Sequence, residues 1–529
     1  MWRALRAGLG VGYQASCGNE ADIDVVDVAE FMVEDPEISV VLMAVEGIRD
    51  GAKLRRVAEK ATRVGKAILM LKLGRSEGGS KAAALHTGSI TGADDVHDAA
   101  LAQMGILRVD DAQHLVHAAM LFQQRRPLTA EGLASISVSG GCLALLADSA
   151  NRFGLCFPEY SPHTLDALTA IIPDFIAVAN PTDLSVEVLG KKNGLARVLD
   201  AVSQDPRVGI LMPSITMTPQ HDLNIYHVAA ANCPKPAALI WSGGCTDAPY
   251  NETDHMLDGV PVYRDVDSGL RAAGFLVRHR RFLDSHARAM PAQRPPDINP
   301  RRARDIVEAA STALGERLSK TVLAVYGLPV TQELLATSAD EAVAHFYKIG
   351  TPVALKVESA DVVHKTDVGG LRLGLSNARE VFRAYQDICD CMAGLPSKPG
   401  LDGILVQEMV GPGTELILGC TTDPTYGPVM AIGLGGIFAE FMGKPILRMP
   451  PLSVDDARYL METDPLRKIL RGVRGVAGVD LDALADIVVR FSWLVSDLAD
   501  LVSEIDVNPI IVSSHSMTIV DAFMMRSDG

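Results

Sequence analysis

Two apolar runs near the start of the chain, SVVLMAVE (39–46) and AILMLKLG (67–74), contain almost no polar position. Runs of that kind, without alternation, suit short strands buried on both faces of a parallel sheet. The segments between and after them change period. GAKLRRVAEKATRVG and DDVHDAALAQMG space their apolar residues as helices do, and Asp94 stands where an N-cap belongs. This strand–helix–strand order predicts a doubly wound parallel sheet over residues 1–128.

A second cycle begins near Gly132. LASISVSGG reads as a strand running into a glycine turn, CLALLADSANRFG as a helix, and VGILMPSITM and KPAALIWSGG as further strands. A second α/β layer is therefore expected over 129–285. Residues 286–303, HARAMPAQRPPDINPRRA, are rich in Pro and Arg and read as a linker. From 304 to 529 the pattern becomes α+β. Glycine-broken strand candidates run to about residue 450, a helical block covers 453–500, and a last pair of strands lies around Ile510 and Val520.

Composition narrows the function classes. A length of 529 residues allows roughly three to five domains. The net charge of −16 argues against a nucleic-acid partner, which needs a basic face. The eight cysteines include no C-x-x-C pair, so a zinc site or redox dithiol is not expected. Cys142 reads as a buried small apolar residue rather than a nucleophile. No apolar stretch reaches membrane-span length, and MWRALRAGLG lacks a signal-peptide core. The expected location is cytoplasmic, with no membrane partner.

Candidate chemistry collects at strand ends, where open parallel sheets hold ligands. Glu46 ends the first apolar run. The second run passes into LGRSEGGSKAAALHTGSITG, where His86 sits among Gly, Ser and Thr. Backbone N–H groups in such a loop can approach an anion, and a neutral imidazole there can be phosphorylated. A nearby carboxylate such as Glu46 would orient the ring. The same spacing also fits a turn histidine and a solvated glutamate. Ser139-Gly140-Gly141 ends a strand in the next layer and suits phosphate at a helix N-terminus. A nucleophile elbow there lacks its leading glycine.

A second constellation lies in the C-terminal part. Lys356 comes late in TPVALKVES, within reach of a nucleotide phosphate. ADVVHKTDVGG adds His364, Lys365 and Asp367. ILVQEMV offers Glu408, Met409 and Val410, whose backbone groups suit adenine, and GTELILG offers Glu415. GLGG (433–436) is a tight turn. EIDVNP and the later Asp521 put Asn508 and a carboxylate on adjacent strands, a donor set that suits Mg²⁺ completed by water and phosphate.

The stretches SEGGSKAAALHTGSITG, VALKVESADVVHKTDVGG, VQEMVGPGTELILG, GLGGIFAE and EIDVNP resemble, in order, the phosphohistidine loop and ATP-grasp half of the ADP-forming acyl-CoA synthetases, relatives of succinyl-CoA synthetase. The resemblance implies two flavodoxin-like doubly wound domains, 1–128 and 129–285, followed by an α+β ATP-grasp domain, 304–529. It implies that His86 is phosphorylated in turnover, that Glu46 steadies the phosphohistidine, and that His364 passes the phosphoryl group between nucleotide and His86. It implies Lys356 on nucleotide phosphate, Glu408 to Val410 as the adenine hinge, Glu415 near the ribose, and Asn508 with Asp521 on Mg²⁺. The implied reaction interconverts acyl-CoA, ADP and phosphate with carboxylic acid, CoA and ATP. The implied ligands are thus ATP/ADP, Mg²⁺, CoA and a small carboxylic acid, in a homo-oligomer.

Two departures from the family pattern follow. GLGVGYQASCGNEADIDVVD resembles the start of the family's second domain, so the resemblance implies that CoA is bound with a separate CoA-binding subunit. Lys444 in EFMGKPILR stands near a position the family commonly fills with aspartate. The competing readings are a truncated chain that autophosphorylates at His86 or His364 without making thioester, and a catalytically idle ATP-binding protein.

Overall fold

The computed structural model describes residues 1–75, 94–246, 256–257, 259–310, 313–350, 352–359, 368–395, 400–436, 443–472 and 478–527. His86, and His364 with Lys365 and Asp367, lie outside the described residues. The chain divides into two compact units, Met1–Arg288 and Ala289–Gly529.

In the first unit the two early apolar runs become β1 (Val40–Val45) and β2 (Ala67–Lys72). With β3 (Leu107–Val109) they form a parallel sheet in the order β1-β2-β3. Every residue of the central strand β2 is buried, which is why its sequence shows no alternation. Helix Gly51–Arg63 makes the crossover from β1 to β2. Asp50 caps it by accepting from the Lys53 N–H, and Leu54, Val57, Ala58 and Ala61 form its buried stripe.

Residues 132–137 form one strand broken at Ser135 into β4 (Gly132–Ala134) and β5 (Ile136–Ser137). On one side β6 (Thr182–Asp183) pairs with β5. On the other, β7 (Val208–Leu211) pairs with β4. Beyond it lie β8 (Ser214–Ile215) and β9 (Leu239–Trp241), also parallel. Last come β10 (Met256–Leu257) and β11 (Val260–Tyr263): β11 lies parallel to β9, and β10 runs antiparallel to β11. The break between β7 and β8 falls at Pro213, which has no N–H for a ladder. The Ser135 hydroxyl fills the gap by donating to the Met212 carbonyl at 2.6 Å. Both layers are parallel α/β sheets, as the apolar pattern implied; the described strands of the first run in sequential order, and the second is doubly wound. The chain leaves β5 toward β6 and returns on the opposite side to β7. That reversal opens a crevice at the carboxyl ends of β5 and β8.

The long helix Val266–Arg288 closes this unit and carries His279, which is buried, with its ring edge-on to Phe122 at 5.6 Å. Burial drives this imidazole down to about 4. A depressed pKa means that the ring contributes stability above its unfolded value, ~6.5, and that this is lost as pH falls through 4. The full contribution is about 3 kcal/mol. His279→Leu should therefore flatten the fall in melting temperature between pH 6.5 and 4. An unchanged slope in calorimetry would refute this account.

The second unit holds two antiparallel sheets. The larger contains, among the described residues, β12 (Ala313–Leu314), β17 (Thr414–Asp423), β18 (Gly427–Leu434), β19 (Ile446–Arg448), β20 (Val502–Val512), β21 (Met517–Ile519) and β22 (Ala522–Arg526). Their order is β12-β22-β20-β17-β18-β19, with β21 on β20. The smaller has β13 (Glu333–Ala336), β14 (Val353–Glu358), β15 (Leu371–Leu375) and β16 (Gly403–Glu408) in the order β13-β16-β14-β15. Helix Leu481–Asp497 buries Phe491 and Leu494 in a core shared with Leu416, Leu418 and Ile510 of the larger sheet.

The Pro- and Arg-rich segment is not linker throughout. A helix begins at Pro300, because proline suits the first helical position and Asn299 caps it through the Arg302 N–H at 3.1 Å. Arg294 in the segment pairs with Asp497, and Arg304 just beyond it with Asp500, each at 2.7 Å. None of the eight cysteines is in a disulfide. Cys142 is half-buried rather than buried, since it occupies the exposed first turn of helix Gly140–Arg152. Among the described residues no helix is long and apolar enough to cross a membrane.

Candidate functional site

In the first unit, parallel pairing ends β1 and β2 together, in register from Val40↔Ala67 to Val45↔Lys72. Glu46 follows β1 directly and is half-buried. Beside it, Lys72 is 2% exposed and donates to the Glu46 and Leu73 carbonyls, both at 2.7 Å. Burial pushes the Lys72 ammonium down. Sequence reasoning missed this residue, because a lysine at the end of an apolar run looks like the end of the strand. The structure makes it a staple between two strand ends.

Residues 76–93, with His86, lie between Arg75 and Asp94, and these two flanking residues meet. Arg75 pairs with Asp94 at 3.5 Å and with Asp110 at 2.7 Å. Asp94 also accepts from Arg108 at 2.5 Å. Burial opposes ionisation of Asp94, but the Arg108 guanidinium outweighs it and holds the carboxyl below its ordinary range.

In the next layer Ser139 caps helix Gly140–Arg152, its hydroxyl accepting from the Cys142 N–H at 3.4 Å. Gly140 and Gly141 form the first turn of that helix, at the β5 end of the crevice. The Ser139 oxygen is thus engaged as a cap, and no elbow geometry is built around it.

In the second unit Lys356 lies on β14 and is 4% exposed. Its Nζ donates to Glu316 Oε1 at 2.7 Å, to the Val520 carbonyl at 3.0 Å and to Asp521 Oδ2 at 3.3 Å. The Asn508 N–H donates to the Asp521 carbonyl at 3.2 Å. Lys356, distant in sequence, is therefore brought to Asp521, whose backbone pairs with that of Asn508. Alternation along β20 puts Glu504, Asp506 and Asn508 on one face. Desolvation, then the charges of Asp521 and Glu504, raise the Asp506 carboxyl.

Glu415 is the second residue of β17, and its carbonyl accepts from the Gly435 N–H at 2.8 Å. Gly436 has φ +54°, and a Cβ there would stand 2.5 Å from Glu415 Oε2. The glycine pair is what lets the turn close over this carboxylate. Glu408 ends β16. Its carboxylate accepts from the Gln332 N–H at 2.8 Å, its own N–H donates to Gln332, and the Met409 N–H donates to Pro352 at 2.9 Å. Those groups brace the segment internally against Gln332 and Pro352. Lys444 is exposed.

Mg²⁺ was expected on Asn508 and Asp521. Among the described residues no group of three or more His, Cys, Asp or Glu is arranged to hold a metal. Mg²⁺ needs few protein ligands, because water and phosphate complete its shell. The hard oxygen donors of Asn508 and Asp521 fit it. So does the crowding of Asp506 and Asp521, whose mutual repulsion a divalent cation would relieve.

An ATP-grasp domain family matches residues 305–525, and the succinyl-CoA ligase like flavodoxin domain matches residues 1–122. The ADP-forming acetate–CoA ligase I of Archaeoglobus fulgidus is 31% identical over 528 residues, covering 99% of this chain and 75% of the relative. The ADP-forming 4-hydroxybutyrate–CoA ligase of Nitrosopumilus maritimus is 30% identical over 521 residues, 96% of this chain and 73% of the relative. The beta subunit of the ADP-forming acetate–CoA ligase I of Pyrococcus furiosus is 35% identical over 227 residues, 42% of this chain and 97% of that subunit. A succinyl-CoA ligase like flavodoxin domain in one chain with an ATP-grasp domain is the arrangement of a nucleotide-dependent ligase. The chain belongs to the ADP-forming acyl-CoA synthetases, ligases that form carbon–sulfur bonds.

Proposed function

We propose that this chain interconverts acyl-CoA, ADP and phosphate with a carboxylic acid, CoA and ATP through an acyl phosphate and a phosphohistidine. The observation that carries this reading is the meeting of Lys356, Asn508 and Asp521 in one unit, in a chain similar over nearly its whole length to ADP-forming ligases. In this reading His86 takes the phosphoryl group and Glu46 steadies its ring. His364 passes phosphoryl between nucleotide and His86. Lys356 neutralises nucleotide phosphate, Glu408 to Val410 flank adenine, and Glu415 approaches the ribose. The N–H groups of Gly140 and Gly141, at a helix N-terminus, receive a phosphoryl oxygen or the acyl phosphate. Asn508 and Asp521 would hold Mg²⁺, which supplies charge compensation to phosphate oxygens when bound.

An acyl phosphate and an N–P bond both conserve much of the transfer potential of ATP. Each step is then close to thermoneutral, which suits an enzyme that runs both ways. The relatives named as ligases favour this reading over an idle nucleotide-binding protein. CoA stays a substrate of the whole reaction. Whether this chain binds it alone, or with a CoA-binding subunit, is read by the same experiment that tests the chemistry.

Incubation with Mg²⁺ and γ-labelled ATP should place acid-labile, base-stable label on the protein. Acid plus CoA should then discharge it. Discharge only after a CoA-binding subunit is added assigns CoA to that subunit. Bound ATP without any label would overturn the phosphohistidine reading.

A further inference from the structure

Beneath the nucleotide-side cluster lies a buried polar network that the assigned roles do not use. Glu316 opens helix Glu316–Val325, and its side chain is fully buried. Its Oε1 accepts from two ammoniums, Lys356 and Lys320, each at 2.7 Å. Lys320 is held further by Thr331 Oγ1 at 2.9 Å, Glu333 Oε2 at 2.7 Å and Gln407 Oε1 at 3.1 Å. Burial pushes the Glu333 carboxyl up.

The two lysines have different surroundings. Lys320 is 2% exposed, and its partners Gln407 and Thr331 are buried with it. Lys356 has Glu316 as its fully buried partner, while Asp521 on its other side is 34% exposed at the side chain. The Glu316 contact is thus fixed from below by Lys320. The Asp521 contact, longer at 3.3 Å, lies on the accessible side. The first turn of a helix also favours the negative charge of Glu316.

We propose that Glu316 is a positioning residue of the nucleotide site. It holds the Lys356 ammonium from its buried side, so that Lys356 can turn from Asp521 to a nucleotide phosphate without losing its counter-charge. Lys320 acts through Glu316 by fixing the shared oxygen. This rests on the reading of Lys356 as a phosphate-binding lysine.

The test measures MgADP affinity, and the KM values for ATP, acid and CoA, in the full chain with any CoA-binding subunit the reaction requires. E316Q keeps the shape and removes the charge, and should weaken MgADP by about tenfold or more, the scale of a charge-assisted hydrogen bond. The KM values for acid and CoA should not move. E316D restores the charge on a shorter arm, and should fall between E316Q and the parent. A purely structural role would lower all parameters together and show no rescue. Should E316Q fail to fold, E316D decides alone: parental MgADP affinity overturns the proposal. If E316Q binds MgADP like the parent while K356A does not, the Glu316 role fails and the site reading stands. If K356A itself binds MgADP like the parent, the site reading fails.

Discussion

His86→Ala should abolish thioester formation and confine the acid-labile label to His364, while ATP affinity stays at the parental value. The split follows from where the residues lie. His86 falls within Met1–Arg288, and Lys356, Asn508 and Asp521 fall within Ala289–Gly529. A residue that becomes covalently phosphorylated has no partial substitute, so the loss should be complete rather than graded. Glu46→Gln should be milder, slowing the label and leaving its final amount, because a carboxylate that orients a ring is not itself modified. The measurement is a time course of labelling beside a nucleotide titration. Parental thioester formation by His86→Ala would end the phosphohistidine assignment.

The second large effect is expected at Asp521. Asp521→Ala removes a proposed Mg²⁺ ligand and one partner of Lys356 together. Charge compensation by a divalent ion is worth several kcal/mol in phosphoryl transfer, which is on the order of 10²–10³ in rate. The loss should be partly recovered at high Mg²⁺, since a lost ligand weakens the site without closing it. Asn508→Ala should show the same Mg²⁺ dependence with a smaller loss, because a neutral amide contributes less than a carboxylate. Equal Mg²⁺ requirements in Asp521→Ala and parent would remove these residues from the metal site.

The legibility of the fold varied with the locality of its causes. β1 and β2 were readable because both faces are buried and the apolar run is continuous. The split of residues 132–137 into β4 and β5 was not, since it depends on a pairing with Met212 far along the chain. Lys356, Asn508 and Asp521 were legible as chemistry, and their meeting required the fold. Glu316 and Lys320 escaped notice because a Glu and Lys four apart on a helix look like an ordinary surface pair. Their burial is decided by Glu333, Gln407 and Lys356, which come from other strands. Lys72 escaped for a similar reason: the carbonyls that accept its protons are backbone groups, which leave no mark in a sequence.

The separate cores of the two units have a practical consequence. The apolar cluster built around Phe491, Leu494 and Leu416 draws all its members from the C-terminal part of the chain. A protein fragment spanning 289–529 should therefore fold unaided and bind nucleotide on its own. Mixed in a tube with a fragment spanning 1–288, it would turn the proposed handover of phosphorus into a meeting between two molecules, whose rate an experimenter can dial by concentration.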